Sequence, residues 1–98
     1  MTSVYKLKSK ILVYPEMSGW RFLVLPKEVS VKIKEQFGSN ARGWGSLPVE
    51  VTIGKTIWQT SIFPDKKSGT YLLPLKAQVR KKEEIYDDDE VKFQFKLN

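Results

Sequence analysis

The chain of 98 residues contains no cysteine and no histidine. The first absence excludes disulfides and thiolate chemistry, and the second excludes imidazole acid–base catalysis, histidine-based triads and histidine zinc sites. No apolar run approaches the roughly 20 residues that a membrane-spanning helix needs. The first ten residues also lack the apolar segment of a secretory signal. We therefore expect a cytoplasmic protein that does not enter the membrane and holds no cofactor.

The composition is that of one small globular domain over residues 1–98. Hydrophobic residues make up 41% of the chain and charged residues 29%, which is too apolar for a disordered segment. Seventeen Lys and Arg against eleven Asp and Glu leave a net charge of +6. A positive balance raises the affinity for polyanions. An anionic ligand or a nucleic acid is therefore the class of partner that the charge favours.

Alternation of apolar and polar side chains predicts that most of the chain forms β-strands. The predicted strands are residues 4–14, 20–25, 47–53, 56–63, 70–73 and 90–97. Helices are predicted from Pro26 to Gln36 and from Leu75 to Glu84, each beside a Leu-Pro pair. Gly54-Lys55 lies between two strands and predicts a hairpin with a type II′ turn.

An internal repeat is the most informative feature of the sequence. A shift of 48 residues places Leu25-Pro26 on Leu73-Pro74, and Val31 then falls on Val79. The two halves, roughly 4–53 and 56–97, each read strand, strand, helix, strand. Half-buried strands of this kind must close or pair their faces to hide their edges. The pattern predicts a mainly β fold: a small six-stranded barrel with two short helices, built by internal duplication and able to exist as a monomer.

Two segments carry a family resemblance, Trp58-Gln-Thr-Ser-Ile-Phe-Pro64 and Tyr71-Leu-Leu-Pro-Leu-Lys-Ala-Gln-Val-Arg-Lys81. They resemble a prokaryotic domain of unknown function, found alone or joined to an OmpD-associated, bacteriocin-protection-type segment. The resemblance implies a compact β-barrel and no established activity. Where that family usually has Gly-Asp before the last strand, this chain has Asp88-Asp89. If the position requires a positive φ, Asp88 is among the side chains that tolerate it.

A weaker likeness concerns architecture alone. A Leu-Pro pair, a basic helix, an acidic turn and an alternating strand also resemble AbrB-type DNA-binding folds. Those folds form a split barrel from two chains, whereas both halves would lie in one chain here. No second subunit would then be needed to complete the barrel.

Residues that could support catalysis are few. Ser61 and Lys76 could form a Ser–Lys pair, and the carboxylates of residues 87–90 could bind a divalent cation. The carboxylates do not follow the EF-hand spacing and lack its glycine. We predict a solvated strand hydroxyl, a solvated lysine and a solvated turn, and hence no enzyme and no metal site.

The predicted function is that of a non-enzymatic binding domain whose ligand is unidentified. We expect Arg42, Trp44, Lys76 and Arg80 to meet at one mouth of the barrel. The two arginines would contact an anion, Lys76 would attract it from a distance, and Trp44, between two glycines, would supply a stacking surface.

A nucleic-acid-binding module is the alternative. Lys6, Lys8 and Lys10 share one face of the first strand, and barrels hold single strands through basic faces and aromatic side chains. An outward row of lysines also protects a strand against edge pairing. The sequence leaves both interpretations open.

Overall fold

Six strands and two helices follow one another in the predicted order. The computed structural model describes residues 4–14 and 19–97. The strands are β1 (Val4–Tyr14), β2 (Trp20–Val24), β3 (Leu47–Ile53), β4 (Thr56–Asp65), β5 (Thr70–Pro74) and β6 (Glu90–Leu97). The helices are α1 (Lys27–Phe37) and α2 (Ala77–Lys82), and short 3-10 turns occupy Gly38–Asn40 and Gly43–Gly45. The segment of residues 15–19 contains a proline and a glycine, which predict a turn between the first two strands, but apart from Gly19 it lies outside the described residues.

The strands form a closed antiparallel barrel in the order β1-β2-β5-β4-β3-β6, with β6 pairing back onto β1. The predicted six-stranded barrel with two short helices is therefore confirmed. One chain supplies the whole wall, as expected. In a closed barrel, the apolar side chains of the alternating strands can all face one common interior.

The strand order has an approximate two-fold symmetry, in which β1, β2 and β3 correspond to β4, β5 and β6. Val24 pairs with Leu72, 48 positions further along the chain, and on the opposite side of the barrel Val51 pairs with Phe95. The ladders at the two hairpins do not follow a shift of 48, because Leu12 pairs with Phe22 whereas Thr70, 48 positions after Phe22, pairs with Asp65. The Leu25 N–H donates to the Tyr71 carbonyl and the Leu75 N–H to the Arg21 carbonyl, so Leu25 is equivalent to Leu75 and the two Leu-Pro pairs differ in position by two residues. An origin by duplication stays a prediction.

Apolar side chains fill the barrel interior. The aromatic ring of Phe95 is buried and stacks on Tyr5 with 5.1 Å between ring centroids. The other large apolar side chains without solvent contact are Leu23, Leu25, Ile33, Val49, Val51, Ile62 and Leu73. Each large apolar side chain contributes about 1.5–3 kcal/mol when fully buried, so the filled interior is the main source of stability.

The two helices lie at opposite ends of the barrel. At the α1 end, β2, β4 and β6 finish and the other three strands begin; at the α2 end the reverse holds. α1 is fastened to the barrel by a buried hydrogen bond, in which the Tyr71 N–H donates to Ser30 Oγ at 3.0 Å. The strand directions therefore decide which loops share an end.

The predicted repeat does not extend through the helices with one offset. α1 begins at Lys27 and α2 at Ala77, which is 50 positions later and not 48. Val31 is 44% exposed, whereas Val79, which the shift of 48 places on it, is 5% exposed. In the described ranges, the non-glycine residues with positive φ are Trp44 and Glu84. Asp88 is not among them, so its position does not require the positive φ that was considered for it.

Candidate anion-binding surfaces

The four side chains expected at one mouth of the barrel do not meet. Arg42 and Trp44 precede β3 and therefore lie at the α1 end. Lys76 and Arg80 follow β5 and lie at the α2 end. Because β3 and β5 run in the same direction in the antiparallel barrel, the segment before β3 and the segment after β5 lie at opposite ends.

Trp44 lies within a hydrogen-bonded turn, and its side chain points into solvent. The Arg42 N–H donates to the Ser46 carbonyl at 2.8 Å, and the Gly45 N–H donates to the Arg42 carbonyl at 2.9 Å. Trp44 has φ 64 and is 93% exposed. A bulky residue in the left-handed region costs on the order of 1–3 kcal/mol. The indole therefore does not fold back over the barrel end, and the turn holds it outward.

Lys76 and Arg80 border a depression of about 330 Å³ at the α2 end, together with Trp20 and Arg21. Arg21 already has an anionic partner, because its Nε and Nη2 donate to the two carboxylate oxygens of Asp87 at 3.0 and 2.9 Å. These hydrogen bonds lower the pKa of Asp87 and raise that of Arg21. Arg80 donates through Nε to the Leu75 carbonyl at 3.2 Å. Arg21 is thus paired with a carboxylate, whereas Arg80 is held by a neutral carbonyl group.

Lys76 also borders a second depression, which we call the β4–α2 groove. Its volume is about 710 Å³. It is lined by Thr56, Ile57, Trp58, Lys76, Gln78, Val79, Lys81 and Lys82. None of these residues is acidic, and in the described part of the chain none of the three lysines forms an ion pair. Buried Trp58 Nε1 has no hydrogen-bond acceptor there either. The groove combines an apolar floor with uncompensated positive charge.

The lysine face predicted on β1 forms part of a shallow groove on the barrel wall. This lysine groove has a volume of about 600 Å³. It is lined by Lys6, Leu7, Lys8, Thr52, Gly54, Lys92, Phe93 and Gln94. Lys8 lies directly opposite Lys92 in the ladder of β1 with β6, and Lys8 Nζ is 3.1 Å from Glu90 Oε1.

Two details of the lysine groove differ from the sequence-based expectation. Lys10 is exposed but lies opposite Glu90, beyond the residues that line the groove. Lys92 was not among the candidate residues although it completes the groove. The outward-facing position of Lys92 in the alternating last strand could have marked it as a surface lysine. The pairing of β6 with β1, which places it in the groove, is not visible in the sequence.

A comparison with known protein families gives one match. The model of a family described as a domain of unknown function, DUF1905, matches residues 8–95. The chain belongs to this family. The resemblance to a domain of unknown function is thereby confirmed. No curated protein sequence matches the chain.

Two other kinds of site considered from the sequence of this DUF1905 domain, a metal site and a Ser–Lys pair, can be compared with the structure. Among the residues that the structure describes, no group of three or more Asp and Glu could hold a metal ion. No hydrogen bond joins Ser61 to Lys76 within the same ranges. No described helix has the length and apolarity to cross a bilayer. The two lysine-rich grooves are the surfaces left to explain.

Proposed function

We propose that this DUF1905 domain is a non-catalytic binding domain that binds nucleic acid through its phosphodiester backbone, along the lysine groove. The observation that carries the proposal is the pairing of Lys8 directly opposite Lys92. Like charges at directly opposed positions destabilise a sheet. Phosphates lying between the two ammonium groups would convert that repulsion into attraction.

The charges around the groove support a polyanion as its ligand. Glu90 compensates Lys8 only, and no ion pair engages Lys6 or Lys92 within the described residues. The groove is open along the wall, which suits a long backbone better than a small enclosed molecule. No exposed aromatic side chain lines it. We therefore expect phosphate contacts without base recognition, and hence no sequence preference.

The absence of catalysis is part of the proposal. The interior is occupied by apolar side chains, so it offers no cleft in which polar groups could converge on a substrate. A barrel closed by one chain can act as a monomer. A cysteine-free sequence is compatible with the reducing cytoplasm, where nucleic acid is available.

Salt dependence provides the test. We expect the protein to bind a fluorescein-labelled 20-nucleotide oligothymidylate, measured by anisotropy, with an affinity that falls as salt rises. For three or four phosphates neutralised, the logarithm of the affinity should fall with the logarithm of salt with a slope of about −2 to −3. Combined Lys6→Gln, Lys8→Gln and Lys92→Gln should weaken binding at ~50 mM salt by about tenfold or more and flatten the slope.

A matched triple variant controls for net charge. Lys27, Lys66 and Lys67 are exposed and lie outside the lysine groove, so their replacement by Gln changes the charge equally. If that control weakens binding as much as the groove variant does, the proposed location fails. If the wild-type protein shows no salt-dependent binding at low salt, the proposed function fails.

A further inference from the structure

We propose that the β4–α2 groove binds an elongated small organic dianion, a molecule with an apolar middle and an anionic group at each end. This site is separate from the lysine groove and does not depend on nucleic-acid binding. Three features of the groove support the proposal: the places of its lysines along α2, the uncharged surface beside them, and the engagement of the neighbouring carboxylate elsewhere.

The three lysines of the groove lie at the two ends of α2. Lys76 directly precedes Ala77, the first residue of the helix, and Lys81 and Lys82 are its last two residues. Since an α-helix rises about 1.5 Å per residue, Lys76 and Lys82 are about 9 Å apart along its axis. All three lysines are exposed and line the same groove. The groove therefore carries positive charge at each end of the helix.

Apart from these lysines, the groove is lined by uncharged side chains. Ile57 of β4 is 62% exposed, Val79 lies midway along α2, and Trp58 packs against the core. The other two lining residues, Thr56 and Gln78, carry no charge. The volume of about 710 Å³ lies in the range of small-molecule sites. An apolar chain or ring bound here would remove the exposed surface of Ile57 from water.

The positive charge of the groove is not neutralised by carboxylates of the described residues. No ion pair in those ranges engages any of the three lysines. Glu83 follows α2 directly, but its carboxylate lies against Gly54 and accepts a hydrogen bond from Thr56 Oγ1 at 2.7 Å. A bound dianion would supply the opposite charge that is missing at both ends of the helix.

The division of the charge between two ends favours this class of ligand over other anions. A phosphodiester chain carries a charge at every nucleotide and is best matched by a continuous row of basic side chains. A molecule with one carboxylate and an apolar tail would cover the uncharged surface but leave the lysines at one end without a counter-charge. A dianion of suitable length contacts both ends at once.

The experiment compares three carboxylates by their effects on the amide NMR shifts of the isotope-labelled whole protein. Salt is kept at about 20 mM, where charge screening is weak. In suberate, the two carboxylates are about 9 Å apart when the chain is extended. Octanoate has the same number of carbon atoms but one carboxylate, and succinate has two carboxylates on a shorter chain.

We expect suberate to shift the Ile57 and Val79 amides in a saturable way. Octanoate and succinate should each bind at least fivefold more weakly, because octanoate lacks the second charge and succinate lacks the length and the apolar middle. If octanoate or succinate binds as tightly as suberate, the two-ended site is refuted. Suberate shifts that are centred away from Ile57 and Val79 would equally overturn the proposal.

Variants at the two ends show whether each end binds one carboxylate. Lys76→Gln should weaken suberate binding about three- to fivefold and change octanoate binding less than twofold, since octanoate can still use the other end. Combined Lys81→Gln and Lys82→Gln should have the same pattern of effects. An end variant that keeps the full preference for suberate over octanoate would contradict the proposal.

Matched variants outside the groove control for net charge. Lys27, Lys66 and Lys67 are exposed and do not line the groove. Lys27→Gln removes the same charge as Lys76→Gln, and combined Lys66→Gln and Lys67→Gln remove two charges, as the other end variant does. Both controls should change suberate affinity less than twofold. Losses equal to those of the end variants would overturn the proposed location.

Competition identifies the other possible occupants. Oligothymidylate that displaces suberate through the lysines of the β4–α2 groove would make the groove a nucleic-acid surface and overturn the proposal. A protein dimer that covers Ile57 and excludes suberate would assign the groove to a second copy, with the same consequence. Replacing Lys6, Lys8 and Lys92 by Gln should not affect suberate affinity, so this proposal can fail while the proposed function stands.

Discussion

The two helices follow equivalent strands and yet finish the barrel differently. α1 has 11 residues, buries Ser30 and Ile33 and is hydrogen-bonded to β5. α2 has six residues, of which Val79 is buried, and it leaves the β4–α2 groove beside it. The same strand register can therefore support a helix fixed against the barrel at one end and a short helix beside an open groove at the other.

The difference begins directly after the two Leu-Pro pairs. Pro26 is followed at once by the first residue of α1, and its carbonyl accepts the Ser30 N–H at 2.9 Å. After Pro74 the chain stays extended for two residues, because the Leu75 N–H still donates to the Arg21 carbonyl at 2.9 Å. The equivalent bond on the other side is donated by the Leu25 N–H to the Tyr71 carbonyl at 3.0 Å. Leu75 therefore corresponds to Leu25, and α2 begins two residues further from its Leu-Pro pair than α1 does.

Core truncation in the two helices should give the largest effects. Ile33→Ala is expected to lower the free energy of unfolding by about 3 kcal/mol, because Ile33 has no solvent contact. Val79→Ala removes less buried surface and should cost about 1.5 kcal/mol. Urea denaturation followed by circular dichroism measures both. Equal costs would show that α2 is anchored as firmly as α1.

Replacing the exposed tryptophan at each end of the barrel should change the free energy of unfolding in opposite directions. Trp44→Asn should raise the free energy of unfolding by about 1 kcal/mol, since asparagine tolerates positive φ and the lost indole is almost fully exposed. Trp20→Asn at the α2 end should lower the free energy of unfolding, because it removes a ring whose centroid lies 6.0 Å from that of Phe22. Thermal unfolding of both variants provides the comparison, and a destabilised Trp44→Asn protein would contradict the assigned strain.

The exposed ion pair at the α2 end should give the smallest effect. Hydrogen bonding to Arg21 lowers the pKa of Asp87 in the folded state, so the pair stabilises the protein above the unfolded pKa of about 3.9. That contribution disappears as the pH falls through the lowered folded pKa. Asp87→Asn should remove this part of the acid dependence of urea unfolding, and Arg21→Gln should remove the same part. A double variant that loses more than either single variant would show that the two residues act separately.

Much of the fold was predictable because its signals are local. The alternation in residues 47–53 and 90–97 gave the bounds of β3 and β6 as the structure has them, and Gly54 has the positive φ that the predicted type II′ turn requires. The site prediction failed where it depended on pairs distant in sequence. Nothing near Trp44 or Arg80 indicates that they occupy opposite ends, and nothing near Lys92 places it opposite Lys8.

Side-chain periodicity, the turn residues and the two Leu-Pro pairs were thus sufficient for the strands, their inward faces and the six-stranded barrel. These features act between neighbours along the chain or through the common need to bury apolar faces. The meeting of Lys6, Lys8 and Lys92 and the separation of Trp44 from Arg80 arose only with barrel closure. They depend on strand order and register, which pairing between distant segments decides.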